Sequence, residues 1–293
     1  MLTVPLRKLE DHKLPMPKTG SMATTLTRPA ADGNLASRVI VVIPAFDEAA
    51  TIAALVRQCC ALADVARVIV VDDCSRDGTG ALAAAAGAEL LQHETNQGKG
   101  ASLRDGMREA LAAGADLIAT LDGDGQHRPE DLPRLLACGR RWPGHIVIGS
   151  RRTARGDVPR SRRIANRVAD FWVSWAARHP IDDSQSGFRV YPAEVARLVA
   201  MRPDAAGGFA FESEVLIEAG RRGFRTVAVA VPAIYGAGLR SSHFRPVADV
   251  TRIVLMVGGA LLAARMDPVG LWRSLTAPRL RWHDEAPAER YAR

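Results

Sequence analysis

Asp122-Gly123-Asp124 places two carboxylates two residues apart, with a further glycine at 125. At the end of a strand, such a pair can face one cation together with two phosphate oxygens, and hard oxygen donors suit Mg2+ or Mn2+. Gly123 and Gly125 carry no side chains, so a bulky ligand can approach the backbone. In isolation the triplet is more often an acidic turn, and its neighbours decide the matter. A second acidic pair, Asp72-Asp73, closes another expected strand and runs into Cys74-Ser75-Arg76-Asp77-Gly78-Thr79, able to turn the chain and cap a helix. A carboxylate there either caps alone or accepts hydrogen bonds from a base or ribose. Pro44-Ala45-Phe46-Asp47-Glu48 stands at a third strand end, just before a helix N-terminus where negative charge is favoured; it reads equally as a cap or as the wall of a nucleotide pocket. Asn96-Gln97-Gly98-Lys99-Gly100 precedes a helix but lacks the GxxxxGK[ST] spacing of a P-loop. Lys99 is the only lysine after Lys18.

These groups need a scaffold that brings strand ends together. The β-branched run at 39–43 reads as a buried parallel strand, and further strands are expected at 65–71, 89–92, 117–121, 146–149 and 226–231. Helical patterns fill 49–62, 80–86, 99–113, 129–141, 164–178, 193–200, 211–221 and 247–264, with a Gly-Phe-Arg turn at Gly187. Strands alternating with helices imply an α/β fold whose mostly parallel sheet carries helices on both faces, with ligands at the carboxyl ends of its strands. Residues 1–37 read as a flexible leader, 38–240 as the catalytic domain, 241–275 as a C-terminal helical extension and 276–293 as a frayed polar tail.

Composition narrows the partners. The chain has 293 residues, 47% of them hydrophobic, enough for one α/β enzyme domain with appendages. Its net charge of +7 calls for an anion, but aromatics are only 5% and do not interleave with basic residues, which argues against nucleic acid. The four cysteines form no CxxC pair and read as reduced thiols of a cytosolic protein. The opening segment lacks the apolar core of a signal peptide, and no apolar run reaches the roughly 20 residues of a membrane span. Seven arginines between Arg151 and Arg167 accompany a single acid, Asp157, which suits recognition of a phosphorylated or anionic lipid. The apolar stretch 253–262, flanked by Arg252, Arg265, Trp272 and Arg273, suits either a helix in the bilayer interface or one packed on protein.

Taken in order, the blocks VVIPAFDEAATI, VIVVDDCSRDGT, NQGKGASLRDGM, TLDGDGQHRPED, IGSR and DSQSGFRVY resemble family 2 glycosyltransferases of the GT-A fold. The resemblance points to the branch of polyprenyl-phosphate sugar synthases and covers roughly residues 38–235. It implies an inverting, metal-dependent enzyme that moves a sugar from a nucleotide-sugar donor to a lipid-linked acceptor, in cell-envelope biosynthesis. Pro44, Asp47, Glu48, Asp73, Lys99 and Asp122 would contact the nucleotide sugar. Asp122 and Asp124 would hold Mg2+ or Mn2+, with Gln126 as a further contact to metal or diphosphate. Asp124, Arg151 and Glu214 would serve catalysis, and Arg162, Asn166, Gln185 and Ser186 the acceptor. The arginine-rich segment and the apolar stretch at 253–262 together lead to the expectation of a location peripheral to the cytoplasmic face of a membrane, and a homo-oligomer is a further expected partner. Two positions depart from the family pattern: Asp47 replaces the usual Asn, and Cys74 the usual Gly.

A phosphate acceptor is already ionised. A hydroxyl acceptor on a glycan or lipid-like molecule would need a carboxylate to take its proton, for which Glu212 and Glu214 are the candidates. A nucleotidyltransferase would require a glycine-rich basic loop after the first strand, where PAFDEA stands instead.

Overall fold

The computed structural model describes residues 37–151, 160–200, 210–232 and 246–282, without the side chains of 160–163 and 246–250. The expected leader therefore falls outside the described residues, apart from Ser37, and so does most of the arginine-rich segment, 152–159.

Among the described residues eight strands form one sheet: β1 (Val39–Ala45), β2 (Val65–Asp72), β3 (Glu89–Gln92), β4 (Leu117–Thr120), β5 (His145–Ser150), β6 (Arg189–Pro192), β7 (Arg225–Ala230) and β8 (Leu280–Trp282). Their order is β3-β2-β1-β4-β6-β5-β7-β8. All neighbours pair in parallel except β6, which runs antiparallel to both β4 and β5. The helices are α1 (Ile52–Cys60), α2 (Thr79–Ala85), α3 (Lys99–Ala112), α4 (Leu132–Arg141), α5 (Arg160–Ala177), α6 (Ala193–Ala200), α7 (Ala210–Arg221), α8 (Pro246–Ala263) and α9 (Pro268–Thr276).

Side chains alternate across a strand, so β1 divides its apolar run between two cores. Ile40 and Val42 pack with residues of α3, α5, α6, α7 and α8, such as Met107, Val173, Val195, Phe211 and Leu261. Val39, Val41 and Ile43 pack with residues of α1 and α4, such as Ile52, Val56, Leu135 and Leu136. Every residue of β1 is buried, which a strand covered on both faces requires.

Register then decides what meets at the carboxyl edge. Ala45 lies beside Asp72 on β2, and Val42 beside Thr120 on β4. The segments 46–48, 73–79 and 121–127 therefore leave the sheet side by side. Antiparallel β6 begins where β4 ends, with Arg189 opposite Thr120, so the loop before it, 183–188, reaches the same edge.

Two expectations are corrected here. The segment read as a turn at Gly187 leads directly into a strand, β6; four residues beginning with a charge and ending in proline are too short to show a strand period. The tail read as frayed contributes Leu280–Trp282 as an edge strand on β7, held by Arg279 and Arg281 on the buried carboxylate of Asp182. Leu280 and Trp282 also pack on the core, so residues 280–282 belong to the sheet rather than to an appendage.

The expected helix at 247–264 is followed by a separate one. Arg265 and Met266 adopt positive φ, and the Asp267 carboxylate accepts the Val269 amide at 3.1 Å to start α9. Among the described residues no single helix is long and apolar enough to cross a membrane; Thr251–Ala263 and Pro268–Thr276 pass by length and composition only as a pair bent by 118°.

Candidate active site

At the carboxyl edge, Asp122 follows β4 and Lys99 opens α3. The Lys99 ammonium lies 2.6 Å from Asp122 Oδ1 and 3.1 Å from Glu212 Oε2, in the first turn of α7. Burial works against the charge on Lys99, but the two carboxylates outweigh it and raise its pKa. Burial likewise pushes the Asp122 carboxyl up, yet Lys99, His127 and Arg151 hold it below the usual range. The backbone of Gly187 leaves Asp122 no spare room: a Cβ there would stand 2.5 Å from both carboxylate oxygens.

Asp124 has no such cation bound to it. Burial, then repulsion from Asp122, raises its pKa. Its Oδ1 accepts the Gln126 amide at 3.0 Å, so the contact from Gln126 shown here is a backbone one that shapes the turn. Two half-buried carboxylates, one strained by its neighbour's charge, fit a hard divalent cation whose remaining positions are filled from the ligand side. Among the described residues no cluster of three or more His, Cys, Asp or Glu could hold a metal unaided. Beneath the turn, His127 is 3% exposed, its ring 5.3 Å from that of Phe188, and burial pushes its pKa down to about 4. It is therefore a neutral imidazole at pH 7, and its Nδ1 has no hydrogen-bond partner among the described residues.

The first two strand ends are stitched to each other and to the Asp122 turn. The amides of Asp47, Glu48 and Ala49 donate to Ser75, Thr79 and Asp77 at 2.9, 2.8 and 3.0 Å. Asp47, at positive φ, accepts the Arg76 amide at 2.9 Å in return. The Thr51 hydroxyl donates to the Gly123 carbonyl at 2.6 Å. Pro44 is buried within β1, and a Cβ on Gly123 would lie 3.2 Å from the Pro44 carbonyl oxygen and 3.3 Å from Glu48 Cγ. Glu48 thus borders the Asp122–Asp124 turn. Asp73 departs from the expectation of a base or ribose contact. It is 3% exposed, and its oxygens accept from the Gln97 amide at 2.8 Å, the Gly98 amide at 2.7 Å and, at 2.7 Å, sit against His93 Nδ1. Its task is to fix the loop that delivers Lys99.

On the other side, Arg151 follows β5 and is clamped by Asp183. Its backbone amide, Nε and Nη2 reach that carboxylate at 2.9, 3.3 and 3.2 Å. Ser186 is corrected from a ligand contact to a structural one: it is fully buried and its hydroxyl donates to the Gly149 carbonyl at 2.6 Å. Gln185 is half-buried, with Nε2 3.2 Å from Ser184 Oγ. Asn166 is half-buried on α5, while the side chain of Arg162 lies outside the described residues. Glu214 is half-buried on α7, two residues and so roughly 200° around the helix from Glu212. Of the two α7 acids weighed as bases, Glu212 shares the Lys99 ammonium with Asp122.

Three contributors have no place among the residues expected at the site. Arg189 is fully buried; it donates to the carbonyls of Ser184, Ser186 and Glu212 at 2.8, 2.7 and 2.8 Å, fastening the 184–187 loop to α7. A lone arginine inside the apolar run Phe188-Arg-Val-Tyr191 is the signal it left. Asp183 opens the block DSQSGFRVY and His127 lies within TLDGDGQHRPED, but neither residue carried a role of its own there.

Residues 40–202 match the model of the family described as glycosyl transferase family 2. The chain is 31% identical over 202 residues to the undecaprenyl-phosphate mannosyltransferase of Micrococcus luteus, covering 66% of this chain and 82% of that one. It is 30% identical over 226 residues to the polyprenol monophosphomannose synthase of Mycolicibacterium smegmatis, covering 71% and 85%. The glucosyl-3-phosphoglycerate synthase of Mycobacterium tuberculosis, solved with Mg2+ and uridine diphosphate, shares the fold with a TM-score of 0.55 at 24% identity, covering 79% of this chain and 80% of that one.

Replacing Gly187 with Ala tests how tightly Asp122 must be held. The added methyl must push the carboxylate aside, and misplacement by about 1 Å can cost on the order of 100-fold in turnover. We expect a loss of that size with the circular dichroism spectrum unchanged; full activity would show that Asp122 needs no such confinement.

Proposed function

Because the chain belongs to glycosyl transferase family 2, we propose that it moves a sugar from a nucleotide-sugar donor to a polyprenyl phosphate at a membrane surface. The observation that carries this reading is the gathering of Asp122, Asp124, Lys99 and Arg151 at one sheet edge, two acids for a cation and two bases for phosphate. The names of both relatives support the polyprenyl-phosphate acceptor.

Asp122 and Asp124 would hold the Mg2+ or Mn2+, which when bound neutralises charge on a departing diphosphate. Lys99 and Arg151 supply positive charge near Asp122 for the leaving group as it becomes more anionic. The acceptor's phosphate oxygen attacks the sugar C1 from the face opposite the diphosphate. The new C1–O bond forms as the old one breaks, the electron pair leaves on the diphosphate, and the configuration inverts. An ionised phosphate needs no base, which agrees with the engagement of Glu212 by Lys99.

A membrane location is supported by the face that α5, α8 and α9 turn outward. Ile164, Val168, Phe171 and Trp172 form one exposed stripe on α5, and Val254, Leu255, Leu262, Val269, Trp272 and Leu275 are exposed on the other two. Arg167, Arg252, Arg265 and Arg273 are exposed among them. The only acids in 164–178 and 251–282 are Asp170, buried under the Ser184 amide, and Asp267, paired with Arg178. An apolar surface with cationic margins suits an anionic bilayer.

Two experiments test the reading. Purified protein given radiolabelled UDP- and GDP-sugars, Mn2+ and polyprenyl phosphate should form a labelled lipid with one donor. Chelation, or Asp122→Asn with Asp124→Asn, should cut the rate at least about 100-fold. Label transferred equally to glycan hydroxyls, or turnover indifferent to both changes, would contradict it. Removing α8 onward would damage core and sheet, so the membrane face is better tested by Phe171→Ser, Trp172→Ser and Trp272→Ser together. That variant should no longer float with phosphatidylglycerol vesicles yet should keep hydrolysing the donor; undiminished flotation would refute the assignment.

A further inference from the structure

Lys99 occupies one oxygen of a carboxylate, that of Asp122, that a metal would use. Its ammonium is 2.6 Å from Oδ1 of that carboxylate, and neighbouring groups position the pair from three sides. Buried Asp73 fixes the two residues that lead into Lys99 through the Gln97 and Gly98 amides. Gly187 packs against both oxygens of Asp122. Glu212, the ammonium's other partner at 3.1 Å, sits on a helix turn whose carbonyl is fastened by Arg189. A cation bound at Asp122 would stand about 2.1 Å from a carboxylate oxygen, close enough to the ammonium for strong repulsion in a half-buried site.

We propose that Lys99 is a displaceable occupant of the cation site: without donor it neutralises Asp122 and keeps free divalent cations out, and an arriving diphosphate draws it off so that metal and nucleotide bind as a couple. This rests on the reading of Asp122 and Asp124 as the metal-holding pair. Glu212 makes the exchange feasible, because a buried ammonium that gives up its only carboxylate would be left unpaired. With Glu212 in place, Lys99 retains one carboxylate and gains a phosphate oxygen. The arrangement would stop the enzyme from being loaded with metal before a substrate is present.

The test is Mn2+ binding to the full chain, followed by the paramagnetic resonance of unbound Mn2+, with and without UDP or GDP. Wild type should bind Mn2+ weakly alone and at least about tenfold more tightly with one of the nucleotides, and Lys99→Met should tighten nucleotide-free binding about tenfold and so shrink the nucleotide's effect. Glu212→Gln, which keeps the lysine and removes the carboxylate that competes with Asp122 for it, should shift nucleotide-free binding the other way; Lys99→Arg should resemble wild type. Unchanged or weaker nucleotide-free binding in Lys99→Met would overturn the inference, as would unchanged binding in Glu212→Gln should the methionine variant not fold. If wild type binds Mn2+ with neither nucleotide, the metal reading beneath it falls as well; if binding with nucleotide is lost in Asp122→Asn while Lys99→Met behaves like wild type, only the role of Lys99 falls.

Discussion

Carboxylates crowded at one edge of a sheet repel one another, and burial makes that repulsion worse. The edge described here is stable only because its buried acids are assigned partners. Asp122 shares the Lys99 ammonium with Glu212, Asp183 takes the guanidinium of Arg151, and Asp73 is surrounded by two backbone amides and an imidazole. Arg189, buried without an acid of its own, is satisfied by three carbonyls and the Tyr191 hydroxyl. For Asp124, burial and the charge of Asp122 outweigh the turn amide of Gln126 and the charges of Lys99 and Arg151. A site with one poorly compensated carboxylate beside a well-compensated one is suited to a cation that comes and goes.

That pattern separates two kinds of residue that look alike in sequence. Asp73 and Ser186 sit in blocks associated with substrate contacts, yet both are buried and occupied in holding backbone. Lys99 and Arg151 are half-covered and charged, and their charge acts on both Asp122 and Asp124. The family resemblance names the blocks; only burial and partners show which side chains within a block face the cleft and which hold it open.

Much of this was legible beforehand, for identifiable reasons. The β-branched run of β1 and the acids closing β2 and β4 announce a parallel sheet with its chemistry at one edge, because local composition encodes both. The reversed strand β6 was not legible, since Arg-Val-Tyr-Pro offers no alternation and its partners, β4 and β5, are distant in sequence. Edge strand β8 was hidden in a polar tail because its stability comes from Asp182, far away along the chain. The clamp of Asp183 on Arg151 and the confinement of Asp122 by Gly187 are likewise products of register between β4, β5 and β6. Such contacts are set by topology, and no local pattern reports them.

In the proposed reaction one diphosphate and one divalent cation would meet between Asp122, Asp124, Lys99 and Arg151. Anomalous diffraction at the manganese edge, from crystals grown with Mn2+ and the donor nucleotide diphosphate, tests it most directly. A peak bridging the Asp122 and Asp124 carboxylates, with the diphosphate between it and the two basic side chains, is the predicted result. Manganese bound elsewhere, or a diphosphate that avoids this edge, would contradict the account.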